Sequence, residues 1–293
     1  MLAKKDFFTG NGGVQMIKEK VFLGNREDYN KKLKYLAGLA QEEPWTFKNI
    51  EGKDPYRILR NYFHYTYDRL EEEGKIMVSP DGKYSCINTG LLTQYDQEIM
   101  AIFSRSEQPR FLPWYLIGFY RDTDRFFKER FTEVPEMADY FDDVNEVIFN
   151  RNLRIDMNTN HIIDDNLLRF QQAGYSEPEV IHALLKAAMD KVEKKLRRNF
   201  KLALPFYYHN TETDERKIQL LIPLYFPGAP VRLALVLDKV KGGQRDPYYL
   251  AITVLPVEWA YMNSRLIVRP DEEWAKIIED ADVDFDKFET VMS

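Results

Sequence analysis

Residues 158–170 hold the densest mixture of chemically active side chains in the chain. His161 can move a proton near neutral pH, and a carboxylate such as Asp165 can orient its ring. Arg169 offers a planar fork of donors that matches phosphate or carboxylate, and Asn166 offers a paired donor and acceptor. These residue types indicate a site for a phosphorylated or nucleoside-like ligand, with His161 and Asp165 as the catalytic pair if a phosphoester is cleaved.

Four further polar blocks lie in otherwise apolar segments and join Asn166 and Arg169 as candidate substrate-binding residues. Arginine and lysine would hold phosphate, while amides would hold a base edge. The fold would have to bring these separated blocks together into one pocket. The further candidates are Arg60, His64, Asn88, Lys217, Gln219, Asn263 and Arg265.

Most of these blocks also have a structural interpretation. Residues 164–166, Asp-Asp-Asn, are types that favour turns and helix N-caps. His64 lies on a polar helix face that is either solvated or the wall of a site. Lys217 and Gln219 share one face of a strand, so that face is either a pocket floor or exposed to solvent. Residues 194–198 end a helix and could bind phosphate, but capping and solvation is the preferred interpretation.

Other kinds of chemistry have weaker support. The chain has one cysteine and four histidines but no His-x-x-x-His pattern, which argues against a structural zinc site, and no metal ligands are assigned. A Mg²⁺ held by one carboxylate and the substrate phosphates stays open, and any other cofactor is unknown. The Gly-x-Ser-x-Gly elbow and the Gly-x-Gly-x-x-Gly fingerprint are absent, which argues against a serine hydrolase and a Rossmann oxidoreductase.

Composition limits the class of protein. The chain has 293 residues, a net charge of −6 and 44% hydrophobic residues, which allows one large domain or two small ones. The acidity argues against coating duplex nucleic acid but leaves room for a local basic groove. The sequence predicts that Cys86 is a core residue of a strand, and a lone cysteine fits a reducing compartment. With no signal peptide and no run of about 20 apolar residues, we expect a cytoplasmic protein without a membrane partner.

The order of elements predicts an α+β fold. Residues 1–25 are expected to form an N-terminal extension with a glycine-rich loop, and residues 26–293 a single domain. Helices are predicted at 27–42 and from Asp54-Pro55 to Gly74, followed by a hairpin at 76–87. The N-terminal half is therefore expected to be helical with one inserted hairpin.

The second half is expected to end in a sheet. Residues 158–170 are predicted as strand or loop, and 178–199 as the clearest helix. Strands at 202–208, 217–225, 231–237 and 248–255 then predict a late antiparallel β-meander packed by helices, the last of which is capped by Asp271. This order differs from the regular βαβ alternation of a doubly wound fold.

Five separated blocks of sequence lie within residues 58–62, 88–93, 161–170, 217–223 and 260–274. In this order they together resemble a bacterial family known as domain of unknown function 3825. The resemblance covers about residues 35–280 and implies a shared fold. Members of that family are sometimes joined to small RNA-binding modules, which implies a nucleotide or nucleic-acid ligand, and no catalytic residues carry over.

Three functions remain open at this level. The leading hypothesis is a cytoplasmic protein that recognises a nucleotide or single-stranded RNA, and whether it is also an enzyme that cleaves a phosphoester is left open. The competing hypothesis is a non-catalytic protein-interaction module whose polar blocks are structural. A third is an enzyme that acts on a small metabolite other than a nucleotide. The sequence does not predict an oligomeric state.

Overall fold

The computed structural model describes residues 14–17, 20–48, 52, 54–107, 113–210, 213–242 and 246–281. The glycine-rich loop predicted at residues 10–13 lies outside this part of the chain. The chain divides into two compact units, one within residues 5–139 and the other within residues 140–293. The interpretation of residues 26–293 as a single domain stays a prediction.

The first unit contains, within its described residues, a six-stranded sheet in the order β1-β2-β6-β5-β4-β3. The pairing of β2 with β6 is parallel, and the other pairings are antiparallel. β1 and β2 come from the segment expected to form an extension, and β3 with β4 is the predicted hairpin. The strands are β1 (Val14–Ile17), β2 (Val21–Asn25), β3 (Met77–Val78), β4 (Tyr84–Leu92), β5 (Glu98–Arg105) and β6 (Trp114–Arg121).

The helices of the first unit are α1 (Arg26–Leu39), α2 (Arg57–Glu72) and the short α3 (Arg125–Lys128). The description of the N-terminal half as helical is not confirmed, because these helices accompany the sheet. The predicted α2 start at Asp54-Pro55 is also displaced. Tyr56, at a left-handed φ of 62°, precedes the first turn. Asp54 binds the side chains of Arg57 and Arg60 instead of capping the backbone.

The second unit confirms the α+β class and forms the predicted late meander. Its described strands lie in the order β7-β11-β10-β9-β8. The last four strands along the chain pair antiparallel, and β7 joins β11 in parallel. The strands are β7 (Ile155–Asp156), β8 (Leu204–Asn210), β9 (Glu215–Pro223), β10 (Leu233–Val240) and β11 (Tyr248–Pro256).

The helices of the second unit are α4 (Val144–Val147), α5 (Thr159–Gln172), α6 (Pro178–Leu196), α7 (Val257–Ser264) and α8 (Glu272–Glu279). Asp271 caps α8 as predicted, since its Oδ1 accepts from the backbone N–H groups of Glu273 and Trp274 at 3.1 and 3.2 Å. No helix in the described ranges is long and apolar enough to cross a membrane.

The strand or loop predicted for residues 158–170 is wrong, because these residues form α5. Asn158 caps the helix by accepting from the backbone N–H of His161 at 3.3 Å. Ile162, Ile163 and Phe170 are buried on its inner face. The turn or N-cap interpretation of residues 164–166 is therefore wrong too, because the cap lies earlier in the chain.

Cys86 is fully buried in β4, as expected of a core residue. Its neighbours in this part of the core include Met100, Ile102, Phe127 and Phe131. Burial raises the pKa of the Cys86 thiol to about 12, so the thiol stays protonated at neutral pH.

A glycine in β4 shows how tightly α2 packs on the sheet. Gly90 has a φ of +72°, and a Cβ at this position would lie 2.8 Å from the Tyr62 hydroxyl. That hydroxyl donates to the Thr89 carbonyl at 2.8 Å. Gly90 therefore satisfies both a backbone and a packing constraint.

We predict that Gly90→Ala lowers the free energy of unfolding by about 1–3 kcal/mol, because alanine disfavours this φ and displaces the Tyr62 hydroxyl. Gly38→Ala is the matched control, since nothing lies within 4 Å of the added Cβ in α1. That control should raise stability by up to about 1 kcal/mol. Urea unfolding measures both variants, and a Gly90→Ala protein as stable as the native chain would contradict the packing described.

Candidate functional site

The predicted catalytic pair lies on the exposed face of α5. The His161 Nε2 and Asp165 Oδ2 atoms are 3.3 Å apart, and their side chains are 61% and 56% exposed. Residues four apart on a helix share a face, so the helix itself accounts for this contact. A contact this exposed to water contributes little stability, and within the described ranges no third side chain hydrogen-bonds to the histidine ring.

Asn166 and Arg169, by contrast, join α5 to β11. The Asn166 Nδ2 donates to the Ile162 carbonyl at 2.9 Å, and its Oδ1 accepts from Arg169 Nη1 at 2.6 Å. The same Oδ1 accepts from the Thr253 hydroxyl at 2.6 Å, while Arg169 Nη1 also donates to the Val254 carbonyl at 2.9 Å. Burial lowers the pKa of the Arg169 guanidinium. These two side chains support the fold of the second unit.

The helix changes direction where this network begins. Asn166 has φ −125° and ψ 16°, which are not helical values, and the residue is buried. Its side-chain amide bonds to the carbonyl of Ile162, one turn earlier. A side chain that inserts into the backbone ladder is a common cause of a helix kink. Asn166 and Arg169 therefore support a buried kink, whereas His161 and Asp165 are exposed on the same helix.

Arg60 and His64 belong to a buried network of the first unit. Arg60 donates to Asp54 and, at 2.7 Å, to the Asn30 side chain. The His64 Nε2 lies 3.0 Å from the Tyr29 hydroxyl. Burial, followed by the charges of Arg60 and Arg57, lowers the pKa of His64 to about 3, so the ring is neutral at physiological pH. The network ties α2 to α1.

Asn88 is likewise buried in the first unit. Its amide donates to Glu98 at 2.6 Å and to the Pro135 carbonyl at 3.1 Å, and its Oδ1 accepts from the Gly90 N–H at 2.9 Å. Together, these three side-chain bonds connect β4 to β5 and to the segment after α3. The Asn88 side chain is therefore bonded within the first unit, and its role in ligand binding stays a prediction.

The remaining four candidates lie in the second unit at separate positions. The Lys217 ammonium bonds to Asp238 at 2.6 Å and to Glu215 at 3.2 Å. Gln219 is buried beside Phe206 in the β8–β9 register. Asn263 is buried in α7, and the half-buried Arg265 follows directly as its C-cap residue. None of these four residues lines either of the two cavities described below for the second unit, and their role in binding stays a prediction.

A different cluster of side chains forms a cleft in the second unit, which we call the basic cleft. Its volume is about 570 Å³. Four of its lining residues are cationic, and none of the described lining residues is acidic. The polar lining comprises Arg151, Arg197, Arg198, Lys239, Asn145, Asn150 and Asn152. The apolar lining comprises Ile148, Phe149, Leu196 and Phe200.

The cations of the basic cleft come from three separate elements. Arg151 lies in the turn between α4 and β7, Arg197 and Arg198 follow the last turn of α6, and Lys239 lies on β10. Arg151 and Arg197 make no ion pair with any residue of the described chain. Such a concentration of positive charge suits an anionic ligand.

The turn that carries Arg151 is held on β11 by Tyr249. The Phe149 and Tyr249 rings stack with centroids 5.0 Å apart and planes at 14°. The Tyr249 hydroxyl accepts from the Asn150 N–H at 2.9 Å, and its own backbone N–H donates to the Arg154 carbonyl at 2.9 Å. Burial raises the pKa of the Tyr249 hydroxyl. The turn is therefore attached to the sheet on both sides of Arg151.

Two of the cations also bond to backbone carbonyls. The Arg198 Nη1 donates to the Lys194 carbonyl at 2.7 Å, and the Lys239 Nζ donates to the Asn145 carbonyl at 3.1 Å. Each bond occupies one donor of a group that has several. The two bonds fix these side chains at the basic cleft while other donors stay available to a ligand.

The prediction from sequence missed most of this cleft. Residues 194–198 were recognised as a group that could bind phosphate, but capping was preferred. The alternation of amide and cation in residues 150–154, Asn-Arg-Asn-Leu-Arg, was the signal that could have identified the opposite wall. Lys239 gave no signal, because only the pairing of distant strands brings it there.

A second cavity of the same unit, about 400 Å³, lies between α5 and α6. Asp164, Glu179 and His182 contribute to its lining. In the described ranges, no group of three or more histidine, cysteine, aspartate or glutamate residues could hold a metal ion. A Mg²⁺ held by one carboxylate and the substrate phosphates stays a prediction.

We predict opposite sensitivities for two residues of α5. Asn166→Ala should lower the free energy of unfolding by about 1–3 kcal/mol, because it removes the buried partner of the half-buried Thr253 hydroxyl and of Arg169. His161→Ala should change it by no more than about 0.5 kcal/mol, because that side chain is exposed. Chemical denaturation of both variants measures the difference. Equal losses would contradict the distinction between an exposed pair and a buried network.

Comparison with known proteins places the chain in a family. No curated protein and no solved structure matches it. A family model matches residues 36–274, a range that includes every residue lining the basic cleft. The resemblance expected from the five sequence blocks is confirmed. Because the match covers well over half of the chain, the protein belongs to the family described as domain of unknown function (DUF3825).

Proposed function

We propose that this protein binds the phosphate groups of a nucleotide or of single-stranded RNA in the basic cleft. The observation that carries the proposal is the convergence of Arg151, Arg197, Arg198 and Lys239 on a cleft without a described acidic lining residue. Guanidinium and ammonium groups are the usual protein partners of phosphate oxygens. We place this activity in the bacterial cytoplasm, as the sequence led us to expect.

The charge of the whole chain strengthens the proposal. The net charge is −6, so four cations around one cleft are a local reversal of the protein's overall charge. Like charges repel when no anion lies between them, and such a cluster therefore lowers stability unless a ligand compensates it. A phosphate-bearing ligand would supply that compensation.

Helix capping alone does not account for the cluster. Basic residues at the end of α6 complement the partial negative charge of the helix C-terminus, and Arg198 makes such a bond. Arg151 comes from a turn that Tyr249 attaches to β11, and Lys239 comes from β10. Neither residue is needed to cap α6. Their presence in the same cleft is explained by a shared ligand.

Amide and aromatic side chains complete the chemistry of the cleft. Asn152 is exposed and offers both a donor and an acceptor to a base edge. Phe200 is 47% exposed, which is unusual for so apolar a side chain and leaves its ring open to stacking. A nucleotide needs a cationic surface for phosphate and an apolar or amide surface for its base. The cleft presents both.

The proposal is recognition rather than cleavage. General acid–base catalysis requires a titratable group within hydrogen-bonding reach of the reacting atoms. The described lining of the basic cleft contains neither a histidine nor a carboxylate. Phosphoester cleavage by His161 and Asp165 would need a ligand bound at the exposed face of α5, where the neighbouring cavity is lined by the acidic side chains of Asp164 and Glu179.

The test is a binding measurement on the purified chain. Nucleoside monophosphates, diphosphates and an eight-nucleotide RNA are titrated while thermal unfolding is followed. A ligand at 100 times its dissociation constant should add about 2.7 kcal/mol to the free energy of unfolding. Unchanged melting curves with every nucleotide and RNA would contradict the proposal and favour the alternative, a protein-interaction module whose polar blocks are structural.

A pair of variants assigns the binding to the cleft. We predict that Arg151→Gln combined with Arg197→Gln weakens binding by at least about tenfold, since each lost phosphate contact removes a charge-assisted bond of about 1.5–3 kcal/mol. Lys186→Gln is the matched control, because Lys186 is exposed on α6 but does not line the cleft. Equal affinity of the double variant and the control would show that binding occurs elsewhere.

A further inference from the structure

We propose that the ligand of the basic cleft is a single-stranded nucleic acid of several nucleotides rather than a free mononucleotide. The inference rests on the proposed function and names its substrate class. Three features of the second unit carry it: cations that extend past the cleft, the number of cations in the cleft, and exposed apolar groups beside them.

The positive surface continues beyond the basic cleft along the chain. Lys194 and Lys201 flank Arg197 and Arg198, and both lysines are exposed. Within the described residues, neither lysine makes an ion pair. The cationic surface thus extends outward from the end of α6 instead of closing around one small anion.

The positive charge of the basic cleft exceeds the negative charge of one nucleoside monophosphate, which is about −2 at neutral pH. Such a ligand has one phosphate, whereas the cleft presents four cations from three elements. In a polynucleotide each residue carries its own phosphate, so successive phosphates can occupy Arg151, Arg197, Arg198 and Lys239 at once. Proteins that bind single strands combine a cationic groove of this kind with apolar stacking surfaces.

Exposed apolar groups lie among these cations. Phe200 is 47% exposed and Ile148 is 42% exposed, and both line the basic cleft. Asn199 holds the backbone next to Phe200, because its Oδ1 accepts from the Lys201 N–H at 3.1 Å. An open phenyl ring beside phosphate-binding cations is a stacking platform for a base. Only an unpaired base can reach it, which favours a single strand over a duplex.

Chain length and salt dependence test this inference together. Uridine monophosphate and 5′-phosphorylated oligouridylates of two, four and eight nucleotides, which carry one phosphate per nucleotide, are titrated against the full chain at several salt concentrations. We expect affinity to rise at least about tenfold from the monophosphate to the four-nucleotide strand. The plot of log affinity against log salt should have a slope of about −2.8 for that strand, since each of four phosphates contributes about −0.7.

Variants connect the slope to particular side chains. Arg151→Gln and Arg197→Gln should each reduce the magnitude of the slope by about 0.7, whereas Lys186→Gln should leave it unchanged. Phe200→Ala should weaken binding about 5- to 150-fold without changing the slope, and Phe200→Trp should keep the affinity. Melting temperatures of all variants show that each is folded.

The outcomes separate the two proposals. If the monophosphate binds as tightly as the eight-nucleotide strand, with a slope near the −0.7 of a single phosphate, the polynucleotide inference is overturned while phosphate binding in the cleft stands. If an eight-base-pair duplex competes as well as the single strand, the inference is also overturned. If neither the monophosphate nor any oligonucleotide binds, the proposed function itself is wrong.

Discussion

The attachment of residues 149–155 to β11 through Tyr249 is the constraint on which the basic cleft depends. A fully buried tyrosine stacks on Phe149, accepts from the Asn150 N–H and donates its own backbone N–H to the Arg154 carbonyl. These contacts bring a short polar turn, which has little packing of its own, onto the sheet. Arg151 is thereby presented on a fixed turn beside the end of α6, and the backbone that carries it needs little ordering when a ligand arrives.

The same strand also supports α5. Thr253 and the Val254 carbonyl of β11 bind Asn166 and Arg169, so two polar connections join β11 to neighbouring segments of the second unit. The connection through Asn166 and Arg169 is buried and leaves no surface for a ligand. The connection through Tyr249 leads to the open basic cleft. This difference decides the role of each polar cluster, since a buried arginine with several bonds stabilises the fold while an exposed one without an ion pair can bind a phosphate.

The sequence predicted the elements with strong local signals. The β-meander, α6 and the Asp271 cap of α8 were all expected, because alternation, helical periodicity and capping residues act within a few positions. The strand or loop expected at residues 158–170 was wrong because Asn158 was not recognised as a cap and Ile162, Ile163 and Phe170 were not recognised as a helical stripe. Local rules also placed the start of α2 too early, because Asp54 binds arginine side chains instead of capping the helix.

The candidate site was harder to predict than the fold. Arg60, Asn88 and Asn166 have side chains that bind ligands in many proteins, but here they satisfy buried backbone and side-chain groups. Sequence alone does not reveal whether a donor is already used. The basic cleft joins residues near positions 150, 197 and 239, and only strand pairing and helix packing bring them together.

The central claim is that the basic cleft binds single-stranded RNA. Ultraviolet cross-linking of an RNA strand that contains 4-thiouridine to the native chain, followed by peptide mass spectrometry, tests this claim most directly. Cross-links in residues 145–152 and 196–201 are predicted, and cross-links confined to the exposed face of α5 or to residues 20–107 would contradict it.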